Sequence, residues 1–202
     1  MPLPELPSRN KKQGEKWLGK YLVKKEIARG GMGVVYLGED PDLKRPVAIK
    51  VMLSGANATD NERRRFFREA QMAAKLTHPR VVGVHYIGVC DEGDFFVMDF
   101  FPGRDLDKIM DEQGEKLKNN FNFCCQIAEK ILEGLDYAHK NGVLHRDIKP
   151  GNILLKGDEL KITDFGLARA MNPEEKITQA NAFLGTPVYT PPEQIQGKVG
   201  EM

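Results

Sequence analysis

Short apolar runs separated by turns fill the first half of the chain after a polar opening stretch. Runs of strand length cover residues 21–28, 34–38, 47–52, 81–89 and 94–101. Between the third and fourth runs, residues 60–78 change to a helical spacing that puts Phe66, Ala70 and Ala73 on one face. This pattern predicts an antiparallel sheet of five strands with one helix.

A second region follows Pro102-Gly103, where we expect the last strand to end in a flexible joint. Apolar residues recur at every fourth position from Phe123 to Leu135, which predicts a long helix over residues 121–140. The fold class is therefore α+β, with a sheet-rich part over residues 21–101 and a mainly helical part over residues 102–202. Residues 1–20 are rich in proline, lysine and other polar residues, and we expect a flexible leader there.

The composition is that of an ordinary globular protein, with 41% hydrophobic residues, 29% charged residues and a formal net charge of +1. This balance favours no nucleic-acid partner, and the arginines at 63–65 and 68 are interpreted as the polar face of a helix. No apolar run approaches membrane-spanning length, so we expect a cytoplasmic chain without a membrane segment. The cysteines, Cys90, Cys124 and Cys125, lack metal-ligand spacing and are expected to be buried thiols. The oligomeric state stays open.

Three features of the sheet-rich part suit a phosphate ligand. Gly30-Gly31-Met32-Gly33 joins the first two predicted strands, so backbone amides there can approach a polyphosphate closely. Lys50 ends the third strand, where its ammonium group can reach phosphate oxygens, and Glu69 on the helix can pair with it. Each feature alone also has a plain structural interpretation: a hairpin, a solvated strand end and an exposed helix carboxylate.

The most informative segment is His145-Arg146-Asp147-Ile148-Lys149-Pro150-Gly151-Asn152. Asp147 can accept the proton of an attacking hydroxyl, and Lys149 can neutralise charge on a transferring group. Asn152 and the carboxylate of Asp164, in Asp164-Phe165-Gly166, offer oxygen ligands to a hard cation. Together they indicate metal-assisted group transfer to a hydroxyl.

These motifs, together with Val47-Ala48-Ile49-Lys50 and Gly185-Thr186-Pro187, follow the order and spacing of the protein kinase signature. From residue 21 to residue 193 the chain resembles eukaryotic-type serine/threonine protein kinases, and its glycine loop is most similar to that of bacterial members. The resemblance implies a two-lobed kinase fold, with the N-lobe over residues 21–101 and part of the C-lobe over residues 102–202. It also implies transfer of the γ-phosphoryl group of Mg-ATP to serine or threonine hydroxyls of proteins.

The resemblance further implies roles for single residues. Asp147 is the expected catalytic base, Lys149 the contact to the γ-phosphate, and Asn152 and Asp164 the magnesium ligands. Contacts to ATP are expected at Ala28, Gly30, Gly33, Val35, Ala48, Lys50, Glu69, Met98, Asp99, Phe101, Asp105 and Leu154.

Within that nucleotide set the expected contacts differ. The glycines cover the phosphates, and Lys50 paired with Glu69 holds the α- and β-phosphates. The adenine is expected between Val35, Ala48 and Leu154, beside Met98 as gatekeeper. Backbone groups of Asp99 and Phe101 would bond the adenine edge, and Asp105 would touch the ribose.

Regulation is expected on the activation segment, residues 164–193. Arg146 matches the arginine that in many kinases pairs with a phosphate on this segment. Thr178 is the leading candidate for that phosphorylation, with an ordinary exposed loop residue as the other interpretation. Thr186 is expected to be a structural hydroxyl near Asp147.

Three departures from the family pattern stand out. Ala28 replaces the first loop glycine, from which we expect weaker ATP binding at most. Thr190-Pro191-Pro192-Glu193 carries an extra proline, which looks tolerable. The chain stops at Met202, so we expect an incomplete C-lobe and exposed apolar surface on the 121–140 helix. A second functional hypothesis is therefore a truncated nucleotide-binding interaction module with little or no catalysis.

Overall fold

The computed structural model describes residues 14–30, 33–53, 58–90, 93–165, 187–189 and 192. Its larger sheet contains β1 (Trp17–Leu18), β2 (Tyr21–Arg29), β3 (Gly33–Asp40), β4 (Arg45–Met52), β5 (Val84–Cys90) and β6 (Gly93–Asp99). The order is β1-β2-β3-β4-β6-β5, and all neighbours run antiparallel. Strand β4 therefore lies inside the sheet.

The alternation of side chains along β4 explains the two cores of this part of the protein. Val47, Ile49 and Val51 point to one face and pack in a cluster that includes residues of β1 and β6. Ala48 and Met52 point to the other face, toward the helix. Both faces are covered, so every residue of β4 from Val47 onward is buried.

The leader predicted for residues 1–20 is wrong at its C-terminal end. Trp17 and Leu18 pair with β2, which gives the sheet six strands instead of the predicted five. Leu18 is fully buried in the cluster that contains Tyr21 and Phe95. A single leucine among polar residues gives no periodic signal, but burying it removes its apolar surface from water.

Helix α1 (Asp60–Ala73) begins with a capping box. The hydroxyl of Thr59 accepts a hydrogen bond from the backbone nitrogen of Glu62, and the carboxylate of Glu62 accepts one from the backbone nitrogen of Thr59. It ends before the predicted limit at residue 78. Phe66 and Ala70 are buried against the sheet, and the Phe66 ring lies 5.0 Å from the ring of Phe96. The shared face predicted from the periodicity is confirmed.

The second part contains β7 (Arg104–Asp105), α2 (Leu106–Lys118), α3 (Phe121–Lys140), β8 (Ile153–Lys156) and β9 (Glu159–Ile162). Strands β7, β8 and β9 form a small antiparallel sheet in that order. The bounds of α3 are those predicted, whereas α2 was not predicted. Asp105 caps α2 by accepting a hydrogen bond from the backbone nitrogen of Lys108.

Backbone hydrogen bonds join the two parts behind the cleft. Val82 donates to the carbonyl of Ile162 at 3.0 Å, and Ile162 donates to the carbonyl of Arg80 at 2.7 Å. Gly134 of α3 fits against this junction, because a Cβ there would lie 2.8 Å from Cδ1 of Ile162. The end of β9 is thereby tied to the sheet-rich part just before Asp164.

The expectation of buried cysteines is wrong for the pair on α3. Cys124 and Cys125 are exposed, and Cys90 is half-buried. The buried residues of α3 are Ile127, Gly134 and Ala138, so the adjacent cysteines lie off its buried stripe. Phe121 and Leu132 of the same helix are exposed as well. None of the helices in the described ranges is both long and apolar enough to cross a membrane.

Candidate active site

A buried ion cluster lies where β4, α1 and the end of β9 meet. The Nζ atom of Lys50 lies 2.9 Å from Oε1 of Glu69 and 2.9 Å from Oδ1 of Asp164. Lys50 is 5% exposed and Glu69 is 3% exposed. The pairing of Lys50 with Glu69 is the one predicted, whereas the sequence analysis did not foresee that Asp164 shares the same ammonium.

The charges of this cluster depend on one another. Burial lowers the pKa of Lys50, but the attraction of Asp164 and Glu69 outweighs it and raises that pKa above its usual value. Burial raises the pKa of Glu69 to about 7, with Lys50 opposing and Asp164 adding to the shift. Lys50 therefore stays charged and is held in one position, as a phosphate ligand requires.

The second polar cluster is on the loop that ends at Asn152. Oδ2 of Asp147 lies 2.8 Å from Nζ of Lys149 and accepts a hydrogen bond of 3.0 Å from Nδ2 of Asn152. The same amide nitrogen donates to the backbone carbonyl of Asp147 at 2.8 Å. Oδ2 is therefore fixed by two donors, so the arrangement leaves Oδ1 able to accept a proton, as the predicted base requires.

His145 supports this loop from below. It is 2% exposed, its Nε2 donates to the carbonyl of Thr163 at 2.9 Å, and its Nδ1 accepts from the backbone nitrogen of Asp147 at 3.3 Å. Burial lowers the pKa of His145, although the bond to Thr163 opposes the shift. A neutral imidazole with its proton on Nε2 satisfies both bonds, so it links Asp147 to the segment that leads into Asp164.

Two residues at the cleft adopt a left-handed backbone conformation, which residues other than glycine rarely adopt. The φ angle is 63° at Arg146 and 62° at Asp164. Such left-handed residues persist where the surrounding contacts hold them, and they cluster at functional sites. Arg146 directly precedes Asp147, and Asp164 is itself the second carboxylate of the predicted site. The ring of Phe165, the next residue, packs 4.6 Å from that of His145.

An apolar pocket wall is built from both parts of the protein. Ala48 and Met98 are buried neighbours in the sheet, and Val35 and Leu154 pack against the same cluster. Leu154 comes from β8, so the cluster closes across the cleft. All four residues were predicted around the adenine, and the structure brings them together.

The glycine hairpin has one position that packing requires. Gly30 donates to the carbonyl of Gly33 at 3.0 Å, and a Cβ on Gly33 would lie only 2.6 Å from the carbonyl oxygen of Val51. A Cβ on Gly30 would meet nothing within 4 Å, so packing does not explain that glycine. Ala28 is exposed and pairs with Val35 in the ladder between β2 and β3.

At the predicted hinge, Asp99 is held by its own side chain. Its carboxylate lies 2.7 Å from Nε2 of His85 and accepts from the backbone nitrogen of Gly83 at 3.3 Å. Phe101 packs its ring over Gly103, where a Cβ would lie 2.5 Å from the ring. Asp99 is the last residue of β6 and Phe101 lies two residues beyond it, and the hinge contacts of both residues stay a prediction.

Asp105 is already engaged in this structure. Its carboxylate accepts from the backbone nitrogen of Lys108 at 2.9 Å and from Nζ of Lys108 at 2.8 Å. Burial alone would raise the pKa of Asp105, but these bonds outweigh it and lower that pKa. A ribose contact would therefore share the carboxylate with the cap of α2.

Asn152 and Asp164 fit a magnesium ion that arrives with ATP. The amide nitrogen of Asn152 donates to Asp147, so its side-chain oxygen stays available to a metal ion, and Asp164 has a second oxygen besides the one that contacts Lys50. Magnesium needs few protein oxygens, because water and phosphates complete its shell. The described residues contain no group of three or more acidic, histidine or cysteine side chains that would suit a metal.

Thr178 and Thr186 lie outside the described residues.

Known proteins match most of this chain. Residues 21–201 match the protein kinase domain family. A probable serine/threonine-protein kinase of Clostridium acetobutylicum is 38% identical over 179 residues, and the serine/threonine-protein kinase PrkC of Bacillus subtilis is 40% identical over 186 residues. These matches cover 88% and 91% of this chain but only 27% and 28% of the two relatives. The chain thus spans less than a third of their length.

Solved structures give the same result for the fold. The kinase domain of PknI from Mycobacterium tuberculosis has a TM-score of 0.61 and 33% identity, over 76% of this chain and 62% of that one. The apo form of PpkA-294 has a TM-score of 0.67 and 25% identity, over 80% and 63% of the two chains. The α+β, two-lobed fold expected from the motifs is confirmed, with the sheet as N-lobe, and this chain belongs to the protein kinase family.

Proposed function

We propose that this protein is a serine/threonine protein kinase that transfers the γ-phosphoryl group of Mg-ATP to serine or threonine hydroxyls of proteins. The observation that carries the proposal is that Asp164 is connected to both polar clusters of the cleft. This residue reaches Lys50 of the N-lobe, and its segment is bonded through His145 to the loop of Asp147. A phosphate-binding cation and a carboxylate base are thus parts of one assembly.

ATP binding uses the two walls of the cleft. The adenine lies between Val35 and Ala48 on one side and Leu154 on the other, where apolar surface is already gathered. Lys50, held by Glu69, bonds the α- and β-phosphates, while the glycine hairpin covers them. Magnesium held by Asn152 and Asp164 supplies positive charge against the phosphate oxygens.

Transfer then needs one proton acceptor and one cation. The substrate hydroxyl oxygen attacks the γ-phosphorus, the bond from that phosphorus to the bridging oxygen breaks, and ADP leaves. The hydroxyl proton passes to Asp147, whose carboxylate is oriented by Asn152. Lys149, whose Nζ lies beside Asp147, neutralises charge on the transferring group. Most of the catalysis is positioning and charge stabilisation.

The finer parts of the proposal concern specificity, regulation and location. Lys149 and Gly185-Thr186-Pro187 favour serine and threonine acceptors over tyrosine. Phosphorylation of Thr178 activates the enzyme, because Arg146 pairs with the phosphate. Thr178→Ala therefore lowers the transfer rate, and an unchanged rate removes Thr178 from the proposal. The domain acts on proteins in the cytoplasm, where Mg-ATP is available.

The test is phosphoryl transfer by the purified chain. The chain is incubated with Mg-ATP and a basic acceptor protein, and intact masses of both are recorded. Asp147→Asn removes the base with little change of shape, and Asp158→Asn, in the exposed turn before β9, is the matched control. Transfer by the parent and Asp158→Asn but not by Asp147→Asn supports the proposal. Binding of ATP without transfer, by a folded chain, contradicts it and favours a nucleotide-binding module.

A further inference from the structure

A second ion pair joins α1 to the sheet, away from the ATP contacts. The guanidinium of Arg63 meets the carboxylate of Asp94 with two parallel contacts, Nε to Oδ2 at 2.6 Å and Nη2 to Oδ1 at 2.9 Å. Asp94 is 3% exposed, whereas the side chain of Arg63 is 43% exposed. This forked geometry fixes direction as well as distance, which a lysine in place of Arg63 would not do.

The position of this pair relates it to Lys50. Arg63 and Glu69 are on the same helix, and Asp94 and Phe96 are on the same strand, β6. Phe96 is the register partner of Lys50, and its ring lies 5.6 Å from Nζ of Lys50. Helix α1 is therefore attached to the sheet by an ion pair at each end of a short span, with the Phe66–Phe96 ring contact between them.

We infer that Arg63 and Asp94 are positioning residues that hold α1 where Glu69 meets Lys50, an inference that rests on the proposed function of that site. Without the guanidinium, a buried carboxylate at the start of β6 loses both donors and draws in water. Helix α1 then keeps its apolar contacts and the pair of Glu69 with Lys50, but the start of the helix is no longer fixed, so Glu69 separates from Lys50 more often. The pair of Arg63 and Asp94, called the clamp below, thus controls the position of Lys50 without contacting ATP.

The test measures the protection of Lys50 and needs no phosphoryl transfer. The chain is treated briefly with a water-soluble acetylating ester, and acetylation of each lysine is followed by peptide mass spectrometry. Lys161 is the internal reference, because its Nζ also makes a hydrogen bond inside the protein, to the carbonyl of Val81, but contacts neither Arg63 nor Asp94. The variants are Arg63→Ala, Asp94→Asn and Arg63→Lys, with Arg64→Ala, an exposed arginine of the same helix, as matched control.

The expected result is a rise of roughly tenfold in the acetylation rate of Lys50 relative to Lys161 for Arg63→Ala and Asp94→Asn, since hydrogen bonds to charged groups are lost. Arg63→Lys gives a smaller rise, and Arg64→Ala gives none. An equal ratio in Arg63→Ala and Arg64→Ala overturns the inference. A parallel rise at Lys50 and Lys161 also overturns it, because the pair then only stabilises the whole fold.

A kinetic measurement separates this inference from the proposed function. Where the parent chain transfers phosphate, kcat/KM for Mg-ATP falls in Arg63→Ala in step with the acetylation of Lys50. If no chain transfers phosphate, the proposed function fails, but the acetylation ratios still decide whether the clamp positions Lys50.

Discussion

The two polar clusters of the cleft differ in how far water reaches them. Lys50 and Glu69 are 5% and 3% exposed, whereas the side chains of Asp147 and Lys149 are 23% and 25% exposed. Asp164, the third member of the first cluster, lies at its open side with its side chain 25% exposed. The first cluster joins three separate elements of the fold, and the second lies within a single loop. Both contain one ammonium and at least one carboxylate, so the difference lies in their surroundings.

Burial changes what each cluster contributes. Charges removed from water depend on their partners, so loss of one partner in the Lys50 cluster leaves an uncompensated buried charge. Asp147 and Lys149 are about a quarter exposed, so water screens their attraction and the pair adds less to stability. The comparison therefore predicts that the Lys50 cluster supports both fold and ATP binding, whereas the Asp147 cluster serves the reaction and hardly affects the fold.

The largest effect is expected for Asp147→Asn. Loss of a positioned base lowers the transfer rate by about 10²- to 10⁴-fold, while the free energy of unfolding changes by no more than about 1 kcal/mol. Transfer is measured by intact mass, and unfolding by urea titration. A large loss of stability in this variant would remove the contrast between the clusters.

Lys50→Met tests the other side of the comparison. The methionine keeps the apolar stem but leaves Glu69 and Asp164 without their shared cation, so the free energy of unfolding falls by about 3 kcal/mol at pH 8. Urea titration measures it, and Lys156→Met, on an exposed lysine at the end of β8, is the control. Equal stabilities of the two variants would contradict the structural role of Lys50.

The pH dependence of stability should carry the mark of Glu69. Its pKa is raised from 4.5 to about 7, so the folded protein binds the proton more tightly than the unfolded chain. This contribution to stability is present at low pH and is lost as the pH rises through about 7. In Glu69→Gln that loss is absent. Parallel stability curves for parent and variant between pH 5 and pH 8 would contradict it.

His145 should act in the opposite direction. Burial lowers its pKa below the usual 6.5, so the folded protein resists protonation more than the unfolded chain does. Its contribution to stability is present above pH 6.5 and is lost as the pH falls below that value. His145→Gln, which keeps a donor for Thr163, removes this acid loss. An acid limb as steep in the variant as in the parent would show that other groups cause it.

The smallest effect is expected for Ala28→Gly, at an exposed position of β2 next to the glycine hairpin. A glycine removes a methyl group near the nucleotide and tightens Mg-ATP binding by about threefold or less. It also costs about 0.5–1 kcal/mol of stability, because a glycine loses more backbone freedom than an alanine when it pairs with Val35, even next to the ladder irregularity between Glu26 and Ala28. Calorimetric titration with Mg-ATP measures the affinity. Weaker binding in the variant would contradict the expected effect of the methyl group.

Local patterns foretold much of this molecule. The period of α3, the strands around β4 and the grouping of Asp147 with Asn152 all depend on residues close in the chain. The prediction of a leader failed because one contact decided the outcome: burial of Leu18 places β1 in the sheet. Helix α2 was not predicted because it lacks a long apolar stripe. Cys124 and Cys125 were misjudged because their helix buries a narrower face than its periodicity suggested.

The sequence by itself determined which chemical groups are present and which motifs carry them, including the groups predicted to act as base, cation and magnesium ligands. Only the tertiary structure decided that Asp164 shares the ammonium of Lys50 across 114 positions, and that Arg63 reaches Asp94 across 31. Contacts between residues so far apart depend on how strands and helices pack, and no local pattern of residues records that packing. Burial, which sets the pKa of Glu69 and of His145, is likewise a property of the folded chain alone.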